Sequence, residues 1–377
     1  MTIRDNIKVL YDLIYLEKEK HGGISRMWME YFKKSCDSQV KVVYMGSFQA
    51  ENIAISFLKK NKFCGSKIIS KTPVSKGLLA RMLSLNIVNS FLLLWKLPKD
   101  VSTFHSTGYS NPLFKRKGLT IVTTIHDMVF WDQKHMMKKS ISYWDNVWGI
   151  YHSLRVSDKI VTVSHASKES ISKHFPWARG KIDVIYHGIS EDFFKVDIDL
   201  KKEKYFMFIG GRNEYKNYDL LLRAFAIFVK TNPDWRLCVV GQNNLTAVIE
   251  ARRYQELGII DKVDDYGLVE QNTIICLIQK TSAVVIPSLN EGFNFPLLEA
   301  MACGSPVLSS DIPVSREIGQ DYADYFENNE KDLLRCMIDI KKNGVDIERL
   351  LEARNYAQTF SWDNSYKELL TVYNSFN

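Results

Sequence analysis

The sequence predicts two doubly wound α/β domains in tandem, and three observations lead there. Short β-branched or aromatic runs alternate with longer amphipathic segments, the rhythm of strand–helix–strand units in a parallel sheet. The chain has 377 residues, 46% of them hydrophobic and 25% charged, enough for two domains with sizeable cores. A charged stretch without periodicity, "ISEDFFKVDIDLKKEK" (189–204), falls midway and reads as a linker.

In the first half the predicted strands are "VKVVYM" (40–45), "LTIVTTIH" (119–126), "DKIVTVS" (158–164) and "IDVIYHG" (182–188). In the second half they are "YFMFIGG" (205–211), "WRLCVVG" (235–241), "VDDYGLV" (263–269), "SAVVIPS" (282–288) and "SPVLSS" (305–310). The tail "FSWDNSYKELLTVYNSF" (360–376) has apolar residues at helical spacing behind Ser361, an N-cap residue type, and predicts a final helix able to cross back to the first domain. The expected domains are therefore 1–195 joined by 360–377, and 196–359. The segment "GLLARMLSLNIVNSFLLLWKLP" (77–98) is nearly as long as a membrane span, but Arg81, Ser84, Asn86, Asn89 and Ser90 argue against spanning. A buried helix, or an amphipathic helix on a membrane surface helped by Lys67, Lys71, Lys76 and Arg81, fits better.

Six cysteines without a C-x-x-C pair read as reduced packing residues of a cytosolic protein. The amino terminus lacks the pattern of a signal peptide. The net charge of +7 is split: residues 1–200 hold 30 Lys+Arg against 18 Asp+Glu, whereas residues 201–377 hold 20 against 25. One half is thus expected to face something anionic. No aromatic-basic stacking motif points to nucleic acid.

Two loops carry the chemistry. "IGGRNEYKN" (209–217) follows a strand and precedes a helix; Gly210 and Gly211 permit a tight turn, and Arg212 and Lys216 bring two cations to the carboxyl end of that strand. With the helix amino terminus they suit a diphosphate; the plain alternative is a solvated face. "SLNEGFNFPLLEAMACGSPV" (288–307) sets Glu291 in a loop and Glu299 in the expected first turn of a helix with Pro296 at its start. Paired acids fit a glycosidase, a metal site or hydrogen-bond acceptors for a sugar and a ribose. His126, at a strand end beside Asp127, is a further site candidate, although a lone histidine there is more often a packing residue.

Together these residues resemble glycosyltransferase family 4, retaining enzymes of the GT-B fold that use nucleotide-sugar donors and place two Rossmann-like domains across a cleft. The resemblance rests on "GGRNEYKN" and on the E-x-x-x-x-x-x-x-E spacing within "PSLNEGFNFPLLEAMACGSPVLSSDIPVSREI". "HGGISR" (21–26), "TIHDM" (124–128), "VTVSHASKESI" (161–171), "VIYHGI" (184–189) and the terminal helix extend it over nearly the whole chain. It implies that Arg212 and Lys216 hold the donor diphosphate, that Glu299 accepts from the ribose and that Glu291 contacts the transferred sugar. Gly211, Gly292, Phe293, Asn294 and Phe295 would approach sugar and phosphates through their backbone. Gly22 and Gly23 would close over the phosphates, His126 would sit by the anomeric carbon, and Asp127 would orient that strand end or the acceptor. Two departures stand out: Asn294 replaces a second glycine, and His187 stands where asparagine is usual.

The implied reaction is retaining transfer from a nucleotide sugar to a glycan hydroxyl, with the leaving phosphate stabilised by Arg212 and Lys216 instead of a metal. The expected setting is bacterial surface-polysaccharide assembly, such as an O-antigen, with a GDP-linked mannose-type donor ahead of a UDP-linked one. The expected partners are a lipid-linked glycan acceptor and an anionic membrane surface met through 59–99 at the cytosolic face. A nucleotide-sugar epimerase and a non-catalytic subunit of a glycosyltransferase complex are the competing readings.

Overall fold

The computed structural model describes residues 8–13, 15, 22–36, 40–46, 67–70, 85–196, 201–242 and 247–376. Contacts divide the chain into two units, Met1–Gly188 with Trp362–Asn377, and Ile189–Ser361.

The first unit runs β1 (Lys8–Asp12), α1 (Gly23–Cys36), β2 (Lys41–Gly46), β3 (Lys67–Ser70), α2 (Asn86–Lys96), β4 (Thr103–Ser106) and β5 (Thr120–Ile125). It continues with α3 (Val129–Asp132), α4 (Ile141–Val156), β6 (Lys159–Thr162), α5 (His165–His174) and β7 (Ile182–Val184). The second unit runs β8 (Glu203–Ile209), α6 (Tyr218–Thr231), β9 (Arg236–Val240), α7 (Ala247–Glu256), β10 (Val263–Gly267), α8 (Gln271–Lys280) and β11 (Thr281–Ile286). Then follow α9 (Phe295–Ala302), β12 (Val307–Ser310), α10 (Pro313–Gly319), β13 (Asp324–Phe326), α11 (Glu330–Asn343) and α12 (Ile347–Ala357), and α13 (Trp362–Asn374) returns to the first unit.

Both sheets are parallel, ordered β3-β2-β1-β4-β5-β6-β7 and β10-β9-β8-β11-β12-β13. Each is doubly wound, with the strand order reversing between β1 and β4 and between β8 and β11. Ligands of such sheets bind outside the carboxyl ends of the strands at that reversal. Parallel strands are covered on both faces, so their cores read as unbroken apolar runs: every residue of β11 is buried. In the second unit Phe206 stacks on Trp235 at 4.9 Å and meets Phe228 of α6 edge-on at 5.3 Å. The apolar stripe of α6, with Leu221, Leu222, Phe225 and Phe228, is fully buried against this sheet.

All nine predicted strands are present. β1, β3, β4 and β13 were not foreseen. β4, "TFHS", lacks the β-branched apolar run that signals a buried strand, yet all four residues are buried. Its polarity is satisfied internally: His105 Nδ1 lies 2.6 Å from the Tyr373 hydroxyl and Nε2 lies 2.9 Å from Thr124 Oγ1. Tyr373 also meets the Tyr11 hydroxyl at 2.9 Å, and Tyr31 meets Ser365 at 2.7 Å, so α13 is anchored to the first unit by buried hydroxyls as well as apolar packing.

The segment 77–98 resolves differently from a simple buried helix. Residues 77–84, with Arg81, lie outside the described residues, as do Lys71, Lys76 and the side chain of Lys67. α2 buries its polar side chains, Asn86, Asn89 and Ser90, and exposes Ile87, Phe91, Leu94 and Trp95. Among the described residues no helix is long and apolar enough to cross a membrane. Cys238, Cys303 and Cys336 are free and buried, whereas Cys276 is exposed.

Candidate functional site

The loop after β8 begins at Gly210 (φ 152°), whose carbonyl runs so close to Gly241 (φ 135°) that a Cβ on Gly241 would stand 2.2 Å from it. Only glycine permits that approach. Past Gly211 and Arg212, a single 3-10 turn (Glu214–Lys216) and Asn217 in the left-handed region (φ 52°) lead into α6. The loop after β11 is tied to it by a hydrogen bond from Leu289 N to Tyr215 O of 2.8 Å. Arg212, Lys216 and Glu291 therefore gather at the reversal point of the second sheet, on the loops of its two central strands.

The Arg212 side chain is 1% exposed. Its Nη2 donates to Asp265 Oδ2 at 2.6 Å, and its guanidinium lies 5.6 Å from the Tyr218 ring centroid. Burial lowers its pKa, but the hydrogen bond and charge of Asp265 outweigh that and raise it, so the group is a permanent cation. Its Nε and Nη1 are buried with no hydrogen-bond partner among the described residues. Buried donors are almost always satisfied, so two on one guanidinium mark a place built for acceptors.

Lys216 Nζ contacts Glu291 Oε1 at 2.6 Å, and Ser288 Oγ donates to the same oxygen at 2.7 Å. The cation assigned to phosphate and the carboxylate assigned to sugar are thus directed at one another across the two loops.

Glu299 is buried, but α9 begins at Phe295 with Pro296 second, which places Glu299 beyond the first turn. This corrects the expectation that the helix dipole holds it there, because the dipole's influence is strongest within the first turn. Asn294 caps α9 in the left-handed region (φ 68°). Asparagine is the residue that tolerates this backbone best after glycine, so a backbone requirement explains Asn294 where relatives carry glycine. Its Nδ2 donates to Ser315 Oγ at 3.1 Å, and its Oδ1 is buried with no partner among the described residues. Phe293 is buried and packs edge-on against Phe295 at 5.3 Å and Phe360 at 6.0 Å. Its side chain belongs to the core, and Gly292 precedes it in the loop.

In the first unit Gly22 and Gly23 stand at the amino terminus of α1, where the Gly22 carbonyl accepts from Arg26 N at 3.0 Å. His21 lies outside the described residues. His126 follows β5 and is buried, with neither ring nitrogen bonded among the described residues; its ring is 6.3 Å from those of Tyr15 and His187. Burial lowers its pKa to about 3, so the imidazole is neutral at physiological pH. Asp127 Oδ1 accepts from Val129 N at 3.1 Å and caps α3.

The sequence reading missed Asp265, the partner of Arg212, Ser288, which positions Glu291, and His187 as a neighbour of His126. Asp265 stands near the carboxyl end of β10, next to β9 in the sheet, and the strand-end rule applied to every strand would have raised it.

The doubly wound pair of units defines the class: GT-B glycosyltransferases share this fold. HepE from Anabaena, solved with UDP and glucose, matches over 98% of this chain and 100% of its own, at TM-score 0.70 and 15% identity. Sucrose-phosphate synthase from Thermosynechococcus elongatus matches over 98% and 99% at TM-score 0.76 and 14% identity. Residues 189–360 match the family Glycosyl transferases group 1, and residues 69–193 match Glycosyltransferase Family 4. The chain belongs to these glycosyltransferase families. Among curated relatives, the O-antigen chain mannosyltransferase RfbU of Salmonella typhimurium is 31% identical over 215 residues, spanning 56% of this chain and 58% of that protein. The match thus covers less than two thirds of that relative.

Proposed function

We propose that the protein is a retaining glycosyltransferase that moves a sugar from a nucleoside-diphosphate donor to a hydroxyl of a glycan acceptor. The observation that carries the reading is Arg212: a buried cation with two unspent donors at the reversal point of the group 1 sheet, beside Lys216 and Glu291. In this reading Arg212, Lys216 and the Gly211 turn hold the diphosphate, Glu291 takes a hydroxyl of the transferred sugar, and Glu299 takes the ribose. Gly292, Asn294 and Phe295 bring their backbone to the donor, and Phe293 and Asn294 fix the shape of that loop by packing and by the bond to Ser315. Gly22 and Gly23 offer helix-terminal amides to phosphate, neutral His126 offers a hydrogen bond at the sugar, and Asp127 orients the strand end.

The acceptor oxygen attacks the anomeric carbon from the face the diphosphate leaves. The bond to the diphosphate breaks, and the departing phosphate oxygen takes the acceptor's proton. Arg212 donates to the charge that grows on that oxygen, and no metal ion is required. The first unit takes the acceptor, a lipid-linked glycan of surface-polysaccharide assembly, with the protein peripheral at the cytosolic face of an anionic membrane. A GDP-linked mannose-type donor is favoured by the O-antigen mannosyltransferase among the relatives. HepE, solved with UDP and glucose, makes the UDP series the necessary comparison.

The test is calorimetric titration of the full chain with GDP, UDP and their sugar conjugates, followed by NMR of the product's anomeric configuration. Binding of one nucleoside diphosphate and a product with the donor's configuration are expected. If neither series binds, or the product is inverted, the proposal fails.

A further inference from the structure

The first unit carries an apolar face that the transfer reading does not use. α2 is folded inside out: Asn86 N and Ile87 N donate to the Asp145 carboxylate of α4 at 2.9 and 3.2 Å, and Asn89 Nδ2 donates to Asp12 at 2.7 Å. Polar side chains at 86, 89 and 90 thus hold the helix to the unit. Ile87, Phe91, Leu94 and Trp95, at helical spacing, turn outward, and Trp95 is 87% exposed.

α4 adds a second stripe. Ile141 is 78% exposed, and Trp144 and Tyr151 follow on the same side, with half-buried Trp148 between them. The two helices meet closely, because a Cβ on Gly149 would fall 2.8 Å from Tyr109 O and 2.9 Å from Asn86 Nδ2. The loop 112–118 is pinned to both: His152 Nε2 contacts Pro112 O at 3.2 Å, and Arg116 Nη1 donates to Pro98 O at 2.9 Å, just past α2. Within that loop Phe114 is 75% exposed. Solitary exposed apolar residues are ordinary, whereas clustered aromatic ones mark a docking surface.

Charge says what docks there. Lys134, His135, Lys138 and Lys139 are exposed in the turn leading into α4, and the three lysines have no acidic partner among the described residues. From 133 to 157 the only acid is Asp145, buried on the end of α2. Tryptophan and tyrosine beside lysine are the composition of a bilayer interface, where a ring is half apolar and half wet. A second copy docking by two-fold symmetry would set the same unpartnered lysines near one another, which disfavours it.

We propose that α2, α4 and the 112–118 loop form a single docking surface that seats on an anionic lipid bilayer, with Phe91, Trp95, Ile141 and Trp144 entering the interface and Lys134, Lys138 and Lys139 meeting the headgroups. α2 has 11 residues and lies in the plane of the surface instead of crossing it. The site rests on neither donor nor acceptor, and it differs from the 59–99 region expected from sequence by bringing in α4.

The test is co-sedimentation of the full chain, without nucleotide, with vesicles of phosphatidylcholine alone and of phosphatidylcholine with phosphatidylglycerol. Binding to the anionic vesicles that weakens with salt is expected. Trp95→Ser with Trp144→Ser is expected to weaken it at least about tenfold. Lys134→Glu, Lys138→Glu and Lys139→Glu together are expected to weaken it about a hundredfold on anionic vesicles alone. These side chains face solvent, so unchanged thermal unfolding serves as the fold control, and Phe91→Ser provides a milder second variant. Absence of binding at low salt, or equal binding by all variants, overturns the proposal. So does a dimer in lipid-free sedimentation that Trp95→Ser with Trp144→Ser converts to monomer, because a second copy then owns the face. Since no nucleotide is present, loss of vesicle binding leaves the transfer reading standing, and the reverse holds as well.

Discussion

Replacing Arg212 by methionine separates a structural arginine from a ligand-holding one. In the free protein the guanidinium makes one charge-assisted hydrogen bond, to Asp265, and buries two donors that bond nothing among the described residues. The bond contributes about 1.5–3 kcal/mol, and each unmet donor costs about 1–3 kcal/mol. The two effects oppose each other, and Asp265 is 28% exposed and stays hydrated when its partner goes. The variant is therefore expected to unfold within about 2 kcal/mol of the parent in urea. Binding behaves differently. Two charge-assisted hydrogen bonds from Nε and Nη1 to a diphosphate are worth together about 3 kcal/mol or more, so the affinity for the preferred nucleoside diphosphate, GDP or UDP, should fall by at least about a hundredfold in a calorimetric titration. Affinity within about threefold of the parent would refute the assignment. So would a stability loss well beyond about 3 kcal/mol with binding intact, which would make Arg212 a core ion-pair residue only.

Lys216→Ala and Glu291→Gln are each expected to lower transfer by about a hundredfold or more while leaving the melting temperature within a few degrees, and normal turnover in either would show the site misplaced. At Asn294 alanine should cost more than glycine, by about 1–2 kcal/mol in urea denaturation, because both lose the bond to Ser315 but only alanine is strained at φ 68°. His105 and His126 are both held at a pKa of about 3 by burial, with His126 adding to the shift of His105. The folded state therefore binds fewer protons than the unfolded state between the two pKa values. Stability is unaffected above about pH 6.5 and falls below it by at most about 1.4 kcal/mol per pH unit for each histidine. Urea midpoints at pH 7.5 and pH 5 measure this, and a pH dependence unchanged in His126→Gln would refute the share given to that residue.

The fold was legible wherever burial is symmetric. β11, β8 and β9 are covered on both faces and announce themselves as continuous apolar runs, and the catalytic loops follow because they begin where those runs end. β4 was illegible because its core positions are a threonine, a histidine and a serine, and hydrogen-bond satisfaction is a tertiary property. α2 was half legible: its apolar content was plain, but only the placement of Asp145 and Asp12 decides that the asparagines face inward. At the site, residue types and strand-end positions could be read, but pairings could not. Nothing in spacing says that Arg212 meets Asp265, 53 residues on, or that Lys216 meets Glu291, 75 residues on.

Those pairings change the electrostatic argument. Read along the sequence, Arg212 and Lys216 are two cations at the mouth of a crevice, and a diphosphate is drawn by their sum. Read in space, Asp265 offsets Arg212 and Glu291 offsets Lys216, so the four side chains sum to no net charge. Affinity for a diphosphate then comes from directed donors, the two unspent guanidinium N–H groups above all, and from close-range geometry. Directed bonds in a buried site are screened little, whereas attraction by net charge fades beyond a Debye length of about 10 Å at 0.1 M salt. Nucleoside diphosphate affinity should therefore fall by less than about threefold between low and moderate ionic strength. A loss of about tenfold or more over that range would mean that the bare cations do the work and that the Lys216–Glu291 pair opens before the ligand arrives.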